Sequence, residues 1–220
     1  NERLGGEKFD RAELAQHFSD DAPANVGVIM GERSGGLVDI NINDEVAIRL
    51  AAEALGWETL TFGRASRPRS HWLVYADDMR STTFSDPITG TIIAEVRADE
   101  QRGRKPSMTI FPPSLHEQTG EQCIFSIGGQ EPIHISSQAV AAAVGRLAAA
   151  ALLRRHWGSV EDYTVIGALV RAGWTNPRII GLLALITTDD PTPTIDTARA
   201  RVARGESIAG WSAVEERLVH

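Results

Sequence analysis

Near Ile135 the chain changes character. Before it, apolar and polar residues alternate in short runs broken by glycine and proline; after it, alanine, leucine and arginine recur at helical spacing almost to the C-terminus. Strands followed by helices predict an α+β fold in two parts. Residues 1–132 are expected to form a mixed-sheet domain with an N-terminal helical lead-in, and 133–220 a small all-helical domain, with the hinge at Gly128 to Pro132. A chain of 220 residues that is 42% hydrophobic is long enough for both cores.

Along the first part, Phe9, Leu14 and Phe18 give residues 1–24 an amphipathic pattern that ends at Asp-Asp-Ala-Pro. Asn25 to Met30 and Leu37 to Asn43 read as strands, joined as a hairpin through the glycines of 31–36. Asp44 is placed to cap a helix over Glu45 to Leu55, whose Val46, Ile48, Leu50, Ala51 and Leu55 form an apolar stripe. Thr59 to Gly63 and His71 to Tyr75 are further strands, separated by a loop rich in arginine, serine and proline that suits substrate contact. Thr91 to Arg97 alternates, with Ile93, Glu95 and Arg97 on one face; Met108 to Phe111 and Cys123 to Ile127 complete the sheet. In the second part, helices are expected from Ser136 or Ser137 through Trp157, from Ser159 through Ala172, from Asn176-Pro177, and over Thr194 to Arg204 and Ser212 to Val219. Trp157, Trp174 and Trp211 follow apolar stripes and are expected in the core.

Strand side chains alternate faces, so Asp39, Asn41 and Asn43 should line one side of the second strand while Val38, Ile40 and Ile42 pack beneath. Hard oxygen donors over a sheet are a means of holding a divalent metal. Some twenty residues on, Arg64, Arg67 and Arg69 precede Ser70 and His71, a chemistry suited to the oxygens of a triphosphate. Glu95 and Arg97 come next, and then Pro-Pro-Ser-Leu-His at 112–116, where two prolines stiffen the loop that presents Ser114 and His116.

In this order the motifs resemble the primase–polymerase (prim-pol) branch of the archaeo-eukaryotic primase superfamily, known from plasmids and phages. The match runs from about Val26 to Phe125. It implies an RRM-like catalytic core followed by a helical bundle, and a DNA-dependent primase/polymerase that makes or extends primers on single-stranded template from nucleoside triphosphates. By the same resemblance Asp39, Asn41 and Glu95 are the ligands of Mg²⁺ or Mn²⁺. His71 holds a phosphate of the incoming nucleotide, helped by Arg64, Arg67, Arg69, Ser70 and Arg97, with Ser114 and His116 toward nucleotide or template. Template, primer and a replicative helicase are the partners implied. Where Asn41 stands, the family usually carries an acidic residue. A second reading is therefore a nucleotide- or DNA-binding replication module on the same fold, impaired in catalysis by Asn41 and Asn43, and a third is a nuclease using Asp39 and Glu95.

Composition narrows the setting. A net charge of −7 confines any contact with nucleic acid to local basic patches, at 64–69 and at Arg97, Arg102, Arg104 and Lys105. The single cysteine, Cys123, excludes an internal disulfide and reads as a buried small hydrophobe. No apolar run approaches the ~20 residues of a membrane span, no signal peptide is read, and a cytoplasmic location is expected. The chain opens on Asn1 without Met, as expected of a piece of a longer protein.

Overall fold

The computed structural model describes residues 12, 24–99, 106–126, 130–156 and 162–219. Most of the lead-in, the basic residues Arg102, Arg104 and Lys105, part of the expected hinge and Trp157 lie outside the described residues. Strands in chain order are β1 (Val26–Ile29), β2 (Leu37–Ile42), β3 (Thr61–Arg64), β4 (Arg67–Tyr75), β5 (Thr82–Ser85), β6 (Ile92–Arg97), β7 (Met108–Phe111), β8 (Ile124–Phe125) and β9 (Ile133–His134). Helices are α1 (Glu45–Leu55), α2 (Ser137–His156), α3 (Asp162–Arg171), α4 (Asn176–Leu183), α5 (Thr192–Ala203) and α6 (Trp211–Val219). The class is mixed α+β with a mostly antiparallel sheet. No helix among the described residues is long and apolar enough to cross a membrane.

Seven strands share one sheet, in the order β5-β6-β2-β4-β3-β8, with β9 pairing parallel to β4. The hairpin expected between the first two strands does not form. β1 instead pairs antiparallel with β7, Val26 opposite Phe111 and Ile29 opposite Met108, and only Gly31 and Leu37 bridge back to β2. The 31–36 segment folds into a short 3-10 turn over Glu32–Ser34 rather than a two-strand connection.

The loop expected between residues 63 and 71 is also absent. β4 begins at Arg67, so a tight turn at Ala65 and Ser66 joins β3 to β4. Pro68 supplies no N–H to the ladder, and the register shifts between Phe62 and Arg64, a bulge that accommodates it. Gly63 sits where any Cβ would collide with the backbone of Arg67 and Arg69, and Arg69 takes φ 53°.

Packing gathers two compact units. The first contains 1–42, 58–83 and 95–140; the second contains 43–57, 84–94 and 141–220. The compositional boundary at 132 is thus not where packing divides the chain: α1 and residues 84–94 group with the C-terminal helices. In the first unit, Met30, Leu37, Phe62 and Leu73 form a core flanked by Val28, Leu60, Tyr75 and Phe111. In the second, α1 starts as expected, the Asp44 carboxylate accepting from Ala47 N at 3.0 Å, and buries Ala47, Leu50, Ala51, Ala54 and Leu55. Arg146 of α2 donates to Ala54 O at its far end. α3 is buried from Thr164 to Val170 and packs on α5 and α6. Trp211 is exposed, against the expectation of a core position, and Trp174 carries the Arg178 guanidinium 4.5 Å over its ring.

Candidate functional site

The register of β2 and β4 assembles the centre of the first unit. Asn41 lies opposite His71 and Asp39 opposite Leu73, so Asp39 and His71 are diagonal neighbours on one face. His71 Nδ1 stands 3.1 Å from Asp39 Oδ1 and 3.0 Å from Oδ2. A carboxylate accepts, so Nδ1 is the donor toward Asp39 and Nε2 is the ring nitrogen left for another partner. From β7, the Thr109 hydroxyl donates to Asp39 Oδ2 at 2.7 Å, and from β6 the Arg97 guanidinium approaches the same oxygen at 3.8 Å. Asp39 is completely buried, and its partners among the described residues are side chains on three other strands. Phe62 of β3 stacks flat on the imidazole, ring centres 4.3 Å apart, which fixes the ring plane while Asp39 fixes its rotation.

Glu95 and Asn41 form the other half. Asn41 Nδ2 and Arg97 Nη2 each donate to Glu95 Oε2 at 2.9 Å, so the three expected ligand positions and Arg97 belong to one network. Arg97 spans both carboxylates. Among the described residues, no three His, Cys, Asp or Glu side chains are grouped to hold a metal ion.

The arginines of the second motif divide. Arg64 donates to Glu121 Oε2 at 3.1 Å, while Ser66 gives Glu121 its hydroxyl at 2.6 Å and its backbone N–H at 2.8 Å. The Ser66 hydroxyl, then its N–H, and the Thr119 hydroxyl and Arg64 charge outweigh partial burial and hold the Glu121 carboxyl down to about 2. Arg69 lies 4.6 Å over the Trp72 ring, whose Nε1 donates to Arg69 O at 2.8 Å. Arg67 faces Arg64 across the turn. Ser70, next to His71 but on the opposite face of the strand, is buried, and its hydroxyl has no hydrogen-bond partner among the described residues.

The third motif is placed differently. The buried Ser114 hydroxyl accepts from Val26 N at 2.7 Å, and Asn25 exchanges hydrogen bonds with the Leu115 backbone at 2.8 and 2.9 Å. These contacts fasten the start of β1 beside the end of β7. His116 Nδ1 is 3.1 Å from the Thr119 hydroxyl within its own turn. Among the described residues, neither Ser114 nor His116 joins the Asp39 network. Cys123 is buried as expected, and burial pushes its thiol up.

Thr109 and Glu121 were not legible as site residues. A β-branched residue in an apolar strand gives no sign of the carboxylate 70 positions away that its hydroxyl serves. Neither a family model, nor a curated protein, nor a solved structure matches this chain.

Proposed function

We propose that this chain is a primase–polymerase-type replication module of a mobile element: it binds nucleoside triphosphates at the Asp39–His71–Arg97 face and extends or initiates strands on a single-stranded DNA template. The observation that carries the reading is the convergence of Asp39, Asn41, His71, Glu95 and Arg97, drawn from separate stretches of sequence, into one network on one face of the sheet. The reading takes the sheet unit as the RRM-like core and the C-terminal helices as its bundle. It places the protein in the cytoplasm with primer and a replicative helicase as further partners.

In this reading Asp39 positions His71. Its buried carboxylate holds the Nδ1 proton, Phe62 blocks ring rotation, and Nε2 takes up a phosphate oxygen once protonated or through that oxygen's own proton. Arg97 supplies positive charge beside two carboxylates that would otherwise repel a triphosphate.

Mg²⁺ or Mn²⁺ is the cofactor implied by the resemblance, and the oxygen donors are of the right class. The arrangement itself does not fit a resident divalent ion. Both Asp39 oxygens already accept, Glu95 Oε2 accepts twice, Asn41 turns its N–H₂ rather than its carbonyl toward Glu95, and a guanidinium fills the space between the carboxylates. That observation favours the second reading, a nucleotide- or DNA-binding module impaired at Asn41.

One experiment separates them. The protein is incubated with single-stranded template, primer, labelled deoxynucleoside triphosphates and Mn²⁺, beside Asn41→Asp, with triphosphate binding followed by calorimetry. Incorporation by the wild type supports the enzyme. Triphosphate binding without incorporation, gained in Asn41→Asp through the added charge, supports the impaired module. Template cleavage without triphosphate would move the nuclease reading ahead, and no binding of triphosphate or template would overturn the proposal.

A further inference from the structure

The register of four strands sets one continuous row across the first unit's sheet. Asn41 of β2 is opposite His71 of β4, His71 opposite Phe62 of β3, and Phe62 opposite Phe125 of β8. Since paired residues share a face, the row runs from the carboxylate network through an imidazole and a buried ring to an aromatic at the sheet edge. Its chemistry is graded. The Asn41 end is charged and hydrogen-bonded, Phe62 is fully buried, and Phe125 is 43% exposed.

Phe125 is held but not covered. Its ring meets Phe62 at 74° and Phe111 at 80°, so neither neighbour stacks flat on it. Among the described residues β8 is the last strand of the sheet, and Ser126 N donates to Thr61 O, which fixes the strand end just beyond the ring. An exposed phenylalanine locked by two aromatic neighbours costs solvation, yet loses little conformational freedom when a planar ligand stacks on it.

We infer that Phe125 is the platform for the base of the incoming nucleoside triphosphate, with His71 at the phosphate end of the same row. This rests on the function proposed above. His71 and Phe125 are two strand spacings apart, ~10 Å, the scale on which a nucleotide separates its phosphates from its base. Ring stacking tolerates every base, so the platform supplies affinity for a nucleobase without choosing among the four. Base choice then falls to the template.

The test compares ATP with inorganic tripolyphosphate and with a single-stranded DNA oligonucleotide, binding to the whole protein being measured by calorimetry for the wild type, Phe125→Ala and Phe125→Tyr. ATP affinity should fall roughly tenfold in Phe125→Ala, the order expected for one lost stacking contact, while tripolyphosphate affinity stays unchanged. Phe125→Tyr, which keeps a ring, should bind ATP as the wild type does, and this guards against a folding defect. Equal ATP affinity in all three proteins overturns the platform and leaves the nucleotide site standing. So does a loss shared by ATP and tripolyphosphate. A loss confined to a single-stranded oligonucleotide overturns the assignment to the incoming nucleotide in favour of a template base. A wild type that binds neither ATP nor tripolyphosphate overturns the underlying nucleotide reading, and the platform with it.

Discussion

Each unit contains a carboxylate with no solvent exposure, and the two are built to opposite ends. Asp86, in the helical unit, is surrounded by its own chain: Ile88 N donates at 2.8 Å and Thr89 N at 3.3 Å, while Arg155 of α2 donates at 2.6 Å and also reaches Asp44, the cap of α1. Burial pushes the Asp86 carboxyl up, but the two backbone N–H groups, Arg155 and the Thr89 hydroxyl together outweigh it and hold it below the usual range. Asp39, in the sheet unit, receives no backbone donor among its described partners. It holds His71, Thr109 and Arg97, three side chains from three strands. A carboxylate that satisfies backbone fixes the fold locally; one that satisfies only side chains fixes where those side chains point.

That contrast is open to direct attack. Asp86→Ala should have the largest effect on stability, about 3–5 kcal/mol, because it orphans two backbone donors and takes from the Arg155 guanidinium one of its two carboxylate partners. Urea denaturation measures it, and the fraction that remains folded should bind triphosphate as the wild type does. If that fraction binds more weakly, Asp86 is not merely a latch.

Asp39→Asn should destabilise less, about 1–3 kcal/mol, since the amide retains the shape and part of the hydrogen bonding. Its effect should appear instead as a loss of triphosphate affinity of about tenfold or more, because His71 loses the charged acceptor that orients it. A stability loss as large as that of Asp86→Ala, with binding intact, would erase the distinction.

The smallest effect belongs to Glu121, a partly exposed carboxylate between the two extremes. Its folded value, about 2, lies below the ordinary 4.5, so the stability it contributes is fully present above about pH 4.5 and is lost as pH falls toward about 2. The difference in melting temperature between wild type and Glu121→Gln should therefore be constant near neutrality and shrink through that window. A difference that persists unchanged at the acid end would mean Ser66 and Arg64 do not depend on the Glu121 charge.

The same residues show what a linear reading recovers. Alternation in Leu37 to Asn43 placed Asp39 and Asn41 on a shared face, and the Asp44 cap, α1 and the order of the C-terminal helices follow from local pattern alone. The stretch from Arg67 to Ser70 misleads, because serine and proline are turn formers by composition, whereas the pairing of Arg67 with Arg64 of β3 and a bulge at Gly63 override that preference. The partner of β1 is not legible locally, because it lies some eighty residues on, a distance no local signal spans. Asp86 sits in a locally legible pattern: an Asp before proline and two more residues with N–H groups in reach is an Asx turn. Its link to Arg155, 69 positions away, has no such pattern.

The pairing of β1 with β7 also bears on how the chain reaches its native state. Val26 N and Ser114 Oγ are separated by 88 residues, and Thr109 and Asp39 by 70, so these contacts close very long loops. Contacts of that sequence separation slow folding, because chain entropy is lost before they form. The hairpin of β3 and β4, joined by a two-residue turn, is local and early by the same reasoning. His71 and Phe62 are therefore expected to meet before Thr109 arrives to complete the environment of Asp39, and stopped-flow kinetics should show that substitutions at Thr109 or Ser114 accelerate unfolding far more than they retard folding.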